Sequence, residues 1–161
     1  IVNKYLSRSK QISRDDLYRD LGKNFLSSVE LHKGVLPMKD MCEVVPLLAR
    51  KYMLWTVTAR QKIGVKVIRY LLNKHIPGCI SGIHCVSEYL EDDTFKKIPK
   101  KEFMNSVHGE KIAFIDDSPR EILEALDSVR SYIFDPAGSN DHFNDIKNRV
   151  KSWRQIGEIF L

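Results

Sequence analysis

The sequence predicts an α/β domain of three layers, with a parallel sheet between helices. Short apolar, β-rich runs recur at Met53 to Thr58, Ile80 to Val86, Lys111 to Ile115 and Tyr132 to Phe134. The segments between them carry apolar residues at helical spacing, and strands alternating with helices form parallel β-α-β units. The chain has 161 residues, enough for one core rather than two. A single domain over residues 1–161 is therefore expected, with 13–34 as a small helical cap segment and 36–161 as the core.

Ser13, followed three residues later by Asp16, marks a helix start, the serine capping and the acid lying near the positive end. That helix is expected to run through Leu17 and Phe25 toward Leu31 and to end near Gly34. Met38, Met41, Val45 and Leu48 set out a second helix, closed by Arg50 and Lys51. The Met53 run reads as a buried strand. Ile63, Val67 and Leu71 form the next helix, which stops at His75-Ile76-Pro77-Gly78.

The strand from Ile80 to Val86 is weakened by Gly82. A polar connection from Ser87 to Ile98 leads to a short helix from Pro99 to about Val107. The Lys111 strand follows, and Pro119 suits the first turn of the helix through Ile122 and Leu126. After the Tyr132 strand, Val150, Trp153, Ile156 and Phe160 return to helical spacing.

The apolar fraction of 43% and the charged fraction of 29% are ordinary for a globular protein. No apolar run reaches the ~20 residues that span a bilayer, and the first residues do not read as a secretory signal. A cytoplasmic location is the expectation. Three cysteines, Cys42, Cys79 and Cys85, lack C-x-x-C spacing and read as small buried hydrophobes. The net charge of +5 favours acidic partners, either phosphorylated small molecules or nucleic acid. Basic residues are dispersed, which fits a solvated surface better than a dedicated nucleic-acid stripe.

Ligands of α/β sheets sit beyond the carboxyl ends of the strands, and three groups of residues fall there. Asp116-Asp117-Ser118-Pro119-Arg120-Glu121 follows the most apolar strand. Adjacent carboxylates beside a core repel unless a cation stabilises them. Mg²⁺ is held in this way, by one or two carboxylates with water and phosphate oxygens. The plainer alternative is that Asp117 or Ser118 caps a helix.

Thr56-Val57-Thr58-Ala59-Arg60 comes after the first strand, where a hydroxyl, free N–H groups and a guanidinium make a phosphate site. A polar loop leading into a helix is the alternative. The third group, Lys96, Lys97, Lys100 and Lys101, lies between the second and third strands. One of these would neutralise a phosphate as charge develops; the others are surface lysines.

Strand–Thr, then Lys, then strand–Asp-Asp resembles motifs two, three and four of the haloacid dehalogenase superfamily, over about Leu36 to Phe134. The resemblance implies a Rossmann-type sandwich and a Mg²⁺-dependent phosphatase. It assigns Thr58 to the substrate phosphate, with Ala59, Arg60 and Lys97 beside it. Lys100 or Lys101 becomes the catalytic lysine, with Lys97 in reserve, and Asp116 and Asp117 become the metal ligands. Glu121 stands where some members carry another acid. Tyr132 to Pro136 and Trp153 look like the 5′-nucleotidase (deoxyribonucleotidase-type) branch, in which Asp135 and Asn140 would line the substrate site; a Pro-Ala-Gly turn explains the segment equally well.

The family's nucleophile is the first Asp of an Asp-x-Asp motif on a central strand, and the second Asp is the general acid and base. No such motif follows an apolar strand here: Asp15-Asp16 opens a helix and Asp92-Asp93 sits in a polar connection. Ile1-Val2-Asn3 fits the continuation of that motif, so the nucleophile is expected upstream of Ile1. Without its strand, two rows of backbone groups would stand unpaired in the middle of the sheet.

The expected function is hydrolysis of a phosphomonoester, a nucleotide or other small phosphorylated metabolite, through an aspartyl-phosphate. The alternatives are a catalytically inactive phosphate- or partner-binding module and a nucleic-acid end-processing phosphatase.

Overall fold

The computed structural model describes residues 22–89 and 95–161. It is a mixed α/β structure containing two small sheets. In chain order a π-turn at Gly22–Leu26 is followed by α1 (Val29–His32), α2 (Met41–Lys51), β1 (Trp55–Gln61), a 3₁₀ turn (Lys62–Gly64) and α3 (Val65–His75). Next come β2 (Gly82–Tyr89), β3 (Phe95–Lys97), α4 (Lys100–Ser106), β4 (Phe114–Asp116) and α5 (Pro119–Ala125). The order ends with β5 (Ser131–Phe134), β6 (Arg149–Val150) and α6 (Trp153–Phe160).

The first sheet has the order β1-β2-β3 and the second β4-β5-β6. Every described pairing is parallel except β2 with β3, which is antiparallel. Parallel pairing, as expected of an α/β chain, thus holds for three of the four described pairings, and β3 adds an antiparallel strand. The polar connection after Ser87 contains a strand, whose Lys97 lies opposite Ser87.

Alternation along the second sheet divides the core in two. Tyr132 joins Val44 and Leu48 of α2, Val150, and Ile156 and Phe160 of α6 in one cluster, with Ile115 and Phe134 against it. Phe114 and Ile133 face the other way, toward Met104 of α4 and Ile122 and Ala125 of α5. The period of two along a strand thus places α2 and α6 on one face and α4 and α5 on the other.

Leu54, just before β1, packs against the first cluster, and α4 reaches both sheets. Its Phe103 stacks on His84 of β2 at 4.0 Å and lies beside the Trp55 ring, while Met104 joins the second core. Gly82 is at the start of β2 for a steric reason. A Cβ there would overlap the ring of Trp55, its partner across the ladder.

Several expected boundaries move, for reasons of pairing. β4 starts at Phe114 rather than Lys111 because its partner begins at Ser131, opposite Phe114. β1 runs on to Gln61, with a register shift between Thr58 and Gln61. Val150 is a strand residue paired with Phe134, so the last helix starts only after Ser152, whose hydroxyl accepts the Gln155 N–H at 3.2 Å.

The helix start at Ser13 and Asp16 lies outside the described residues. The described part of the cap segment is not one continuous helix. It is a π-turn and a single α turn separated at Ser28, which caps α1 through the Leu31 N–H. The cysteines are free, but Cys42 is exposed and Cys79 and Cys85 are half-buried, against the expectation of burial. Among the described residues no helix is long and apolar enough to cross a membrane.

Candidate functional site

Asp116 is the last ladder residue of β4, paired with Ile133 at the carboxyl end of the strand. Both of its carboxylate oxygens are engaged. Oδ1 accepts the Ser118 N–H at 2.9 Å, and Oδ2 receives the ammonium of Lys100. The two side chains are each only 8% exposed. Lys100 starts α4, immediately after Pro99, so its backbone is fixed where its side chain turns inward. A buried cation with a buried anion is tolerated because each offsets the desolvation of the other.

The neighbouring helix supplies a third acid. Ser118 holds the N-cap position of α5 and Pro119 its first turn. Glu121 follows in that turn, and its side chain is 7% exposed. One oxygen meets Lys97 Nζ at 3.2 Å, while Oε2 is buried without a hydrogen-bond partner. A buried carboxylate oxygen left without a donor is costly.

Asp117 differs from both. It is exposed, and among the described residues its carboxylate has no hydrogen-bond or ion-pair partner. Of the two residues in the helix-cap alternative, Ser118 occupies the N-cap position of α5, without a side-chain capping hydrogen bond, and Asp117 does not. The main-chain carbonyl of Asp117 accepts the Asn140 side-chain amide at 3.3 Å.

The three lysines proposed from the sequence separate clearly. Lys100 is on Asp116, and Lys97 reaches across from β3 to Glu121. Lys101 is half-buried and makes no ion pair among the described residues. Lys97 was expected in a polar connection and instead stands on a strand.

Thr58 is the last β1 residue in regular register, opposite Cys85, rather than a residue beyond the strand. Its Oγ1 accepts the Arg60 N–H at 3.1 Å, closing a small turn within the irregular end of β1. Ala59 and Arg60 are exposed there. Thr58 belongs to the first sheet and Asp116 to the second. Among the described residues no hydrogen bond or ion pair joins the Thr58–Arg60 turn to the Lys100–Asp116 pair.

Comparison with protein-family models, with curated proteins and with solved structures returned no match. The residues themselves must carry the assignment.

A second loop completes the corner. Asp135 follows β5, is 3% exposed, and accepts the N–H groups of Ser139 and Asn140 at 2.9 Å each. Arg149 approaches the same carboxylate at 3.7 Å. Gly138 adopts φ +70, the left-handed conformation that glycine enters without a steric penalty. Asp135 thus shapes its own loop, in line with the turn that was the alternative for this segment. Asn140 is the residue that this loop presents toward Asp117.

Among the described residues no cluster of three or more metal-ligating side chains is assembled. Mg²⁺ needs less from a protein, one or two carboxylates with water and phosphate oxygens. Asp117 offers a free carboxylate, and Asp116 keeps acceptor capacity beyond its two bonds. These two carboxylates are the acceptors that the corner offers to such an ion.

Proposed function

We propose that this chain belongs to a Mg²⁺-dependent phosphatase of the haloacid dehalogenase type, acting on a nucleotide or another small phosphorylated metabolite. The observation that carries this reading is the buried Lys100–Asp116 pair beside the free Asp117 carboxylate. It places a fixed positive charge next to an acidic pair at a strand's carboxyl end, where α/β folds bind ligands. With Glu121 and Lys97 included, the corner holds one more carboxylate than ammonium groups, a balance that suits a bound cation.

In this reading Asp116 and Asp117 hold the ion, which when bound neutralises charge on the phosphate. Lys100 orients Asp116 and adds positive charge near the phosphate. The Thr58 hydroxyl, with Ala59 and Arg60 of the same turn, binds the phosphate oxygens.

The three-layer sandwich of that superfamily, and its aspartate nucleophile, belong to the same proposal. Among the described residues β1 and β4 each pair with one strand, and each is an outer strand of its sheet. Met53, Trp55 and Ile112, at the starts of these strands, are exposed apolar residues. A parallel strand seated between β1 and β4 would join the sheets, and an Asp-x-Asp at its carboxyl end would face Asp116.

The test is hydrolysis of nucleoside monophosphates, sugar phosphates and 5′-phosphorylated DNA by the protein made from its native gene. Turnover of a small substrate that needs Mg²⁺ and is lost in Asp117→Asn supports the reading. Ligand binding without turnover makes the protein a binding module. Turnover confined to DNA, falling steeply with salt, makes it an end-processing enzyme.

A further inference from the structure

The loop after β5 is more highly organised than a connection requires. Asp135 is buried, and both of its oxygens are used on the consecutive N–H groups of Ser139 and Asn140. Arg149 anchors the loop from beneath, approaching Asp135 at 3.7 Å and Asp141 at 3.8 Å. The left-handed turn at Gly138 sits tight against Asp141, whose carboxylate would lie 3.0 Å from any added Cβ. With its main chain held in this way, Asn140 is placed where its side-chain amide reaches the Asp117 carbonyl.

That amide donates to the carbonyl of Asp117, the one acidic residue of the corner with an uncommitted carboxylate. From this geometry we infer that Asn140 is a positioning residue, holding the Asp117 main chain so that its carboxylate is aimed for cation binding. The inference rests on reading Asp117 as a cation ligand. It assigns the β5 loop a part in metal affinity although the loop carries no ligand.

Mn²⁺ binding, followed by electron paramagnetic resonance, tests this in wild type, Asp117→Asn, Asn140→Ala, Asn140→Leu and Asn140→Gln, with an unfolding midpoint for each. Asp117→Asn should lose binding. Asn140→Ala and Asn140→Leu should weaken it by about three- to tenfold, the worth of one hydrogen bond, with midpoints close to wild type. Asn140→Gln, which keeps an amide donor, should recover most of the affinity. If Asp117→Asn loses Mn²⁺ while both donor-free variants bind as wild type does, the positioning role is overturned and the cation site stands. If all three Asn140 variants lose affinity only in step with their midpoints, the amide is structural and the role is again overturned. If Asp117→Asn binds Mn²⁺ normally, the cation reading itself falls, and the positioning role falls with it.

Discussion

Lys100 donates to Asp116 in an ion pair whose two side chains are each 8% exposed, and the pair ties the first turn of α4 to the end of β4. Removing one member leaves a buried charge without its partner. Lys100→Met should therefore cost about 3–5 kcal/mol in urea unfolding. Asp116→Asn should cost a comparable amount, because it strands the buried Lys100 ammonium although its side-chain oxygen still accepts the Ser118 N–H. In the double variant the loss should fall short of the sum, as expected for groups in contact. Additive losses would mean that the two side chains do not act on each other.

Gly82 and Trp55 form a second coupled pair. A methyl group on residue 82 needs the space that the Trp55 ring occupies. Gly82→Ala should cost about 1–3 kcal/mol through overpacking and shift the Trp55 fluorescence to longer wavelength as the ring is displaced. In a Trp55→Leu background the same change should be nearly neutral. An unaltered emission spectrum would show that the ring does not lie over Gly82.

Asp135 is expected to be a stability residue rather than a ligand. Asp135→Ala leaves two loop N–H groups without their acceptor and should cost at least about 2 kcal/mol. Amide hydrogen exchange at Ser139 and Asn140 should accelerate more than exchange elsewhere. Equal protection at these two amides in wild type and variant would contradict the role given to the carboxylate.

The cysteines should label in a defined order. Burial pushes the Cys85 thiol above its ordinary range, an effect that nearby Lys62 only partly opposes. A raised value means less reactive thiolate at any given pH below it. Exposed Cys42 should therefore alkylate ahead of Cys85 at neutral pH, and the rate at Cys85 should climb as pH rises into the alkaline range. Mass mapping of a timed alkylation checks this; Cys85 labelling first would contradict it.

The β4–α5 corner was legible in the sequence because its signals are local. An apolar run, two adjacent acids and a proline in the first helical turn lie within a few residues of one another. The choice among Lys97, Lys100 and Lys101 was not legible, since it depends on which lysine the turn after Pro99 directs inward. β3 and β6, three and two residues long, are too short to show a period, and only long-range pairing creates them. The burial of Glu121 was hidden for a similar reason, because its partner Lys97 lies 24 residues away. Asp135 stayed open between a site and a turn, since an acid after a strand reads alike whether it meets a ligand or its own loop.

The central claim is that phosphoryl transfer at this corner passes through an aspartyl-phosphate carried by a strand between β1 and β4. Trapping that intermediate tests it most directly. The protein made from its native gene would be incubated with an isotopically labelled substrate and Mg²⁺, quenched, and mapped by mass spectrometry. The proposal predicts a covalent phosphate that hydroxylamine removes, on the first aspartate of an Asp-x-Asp motif, and no such adduct without Mg²⁺. Turnover with no covalent phosphate, or with the phosphate on a residue other than aspartate, would contradict it.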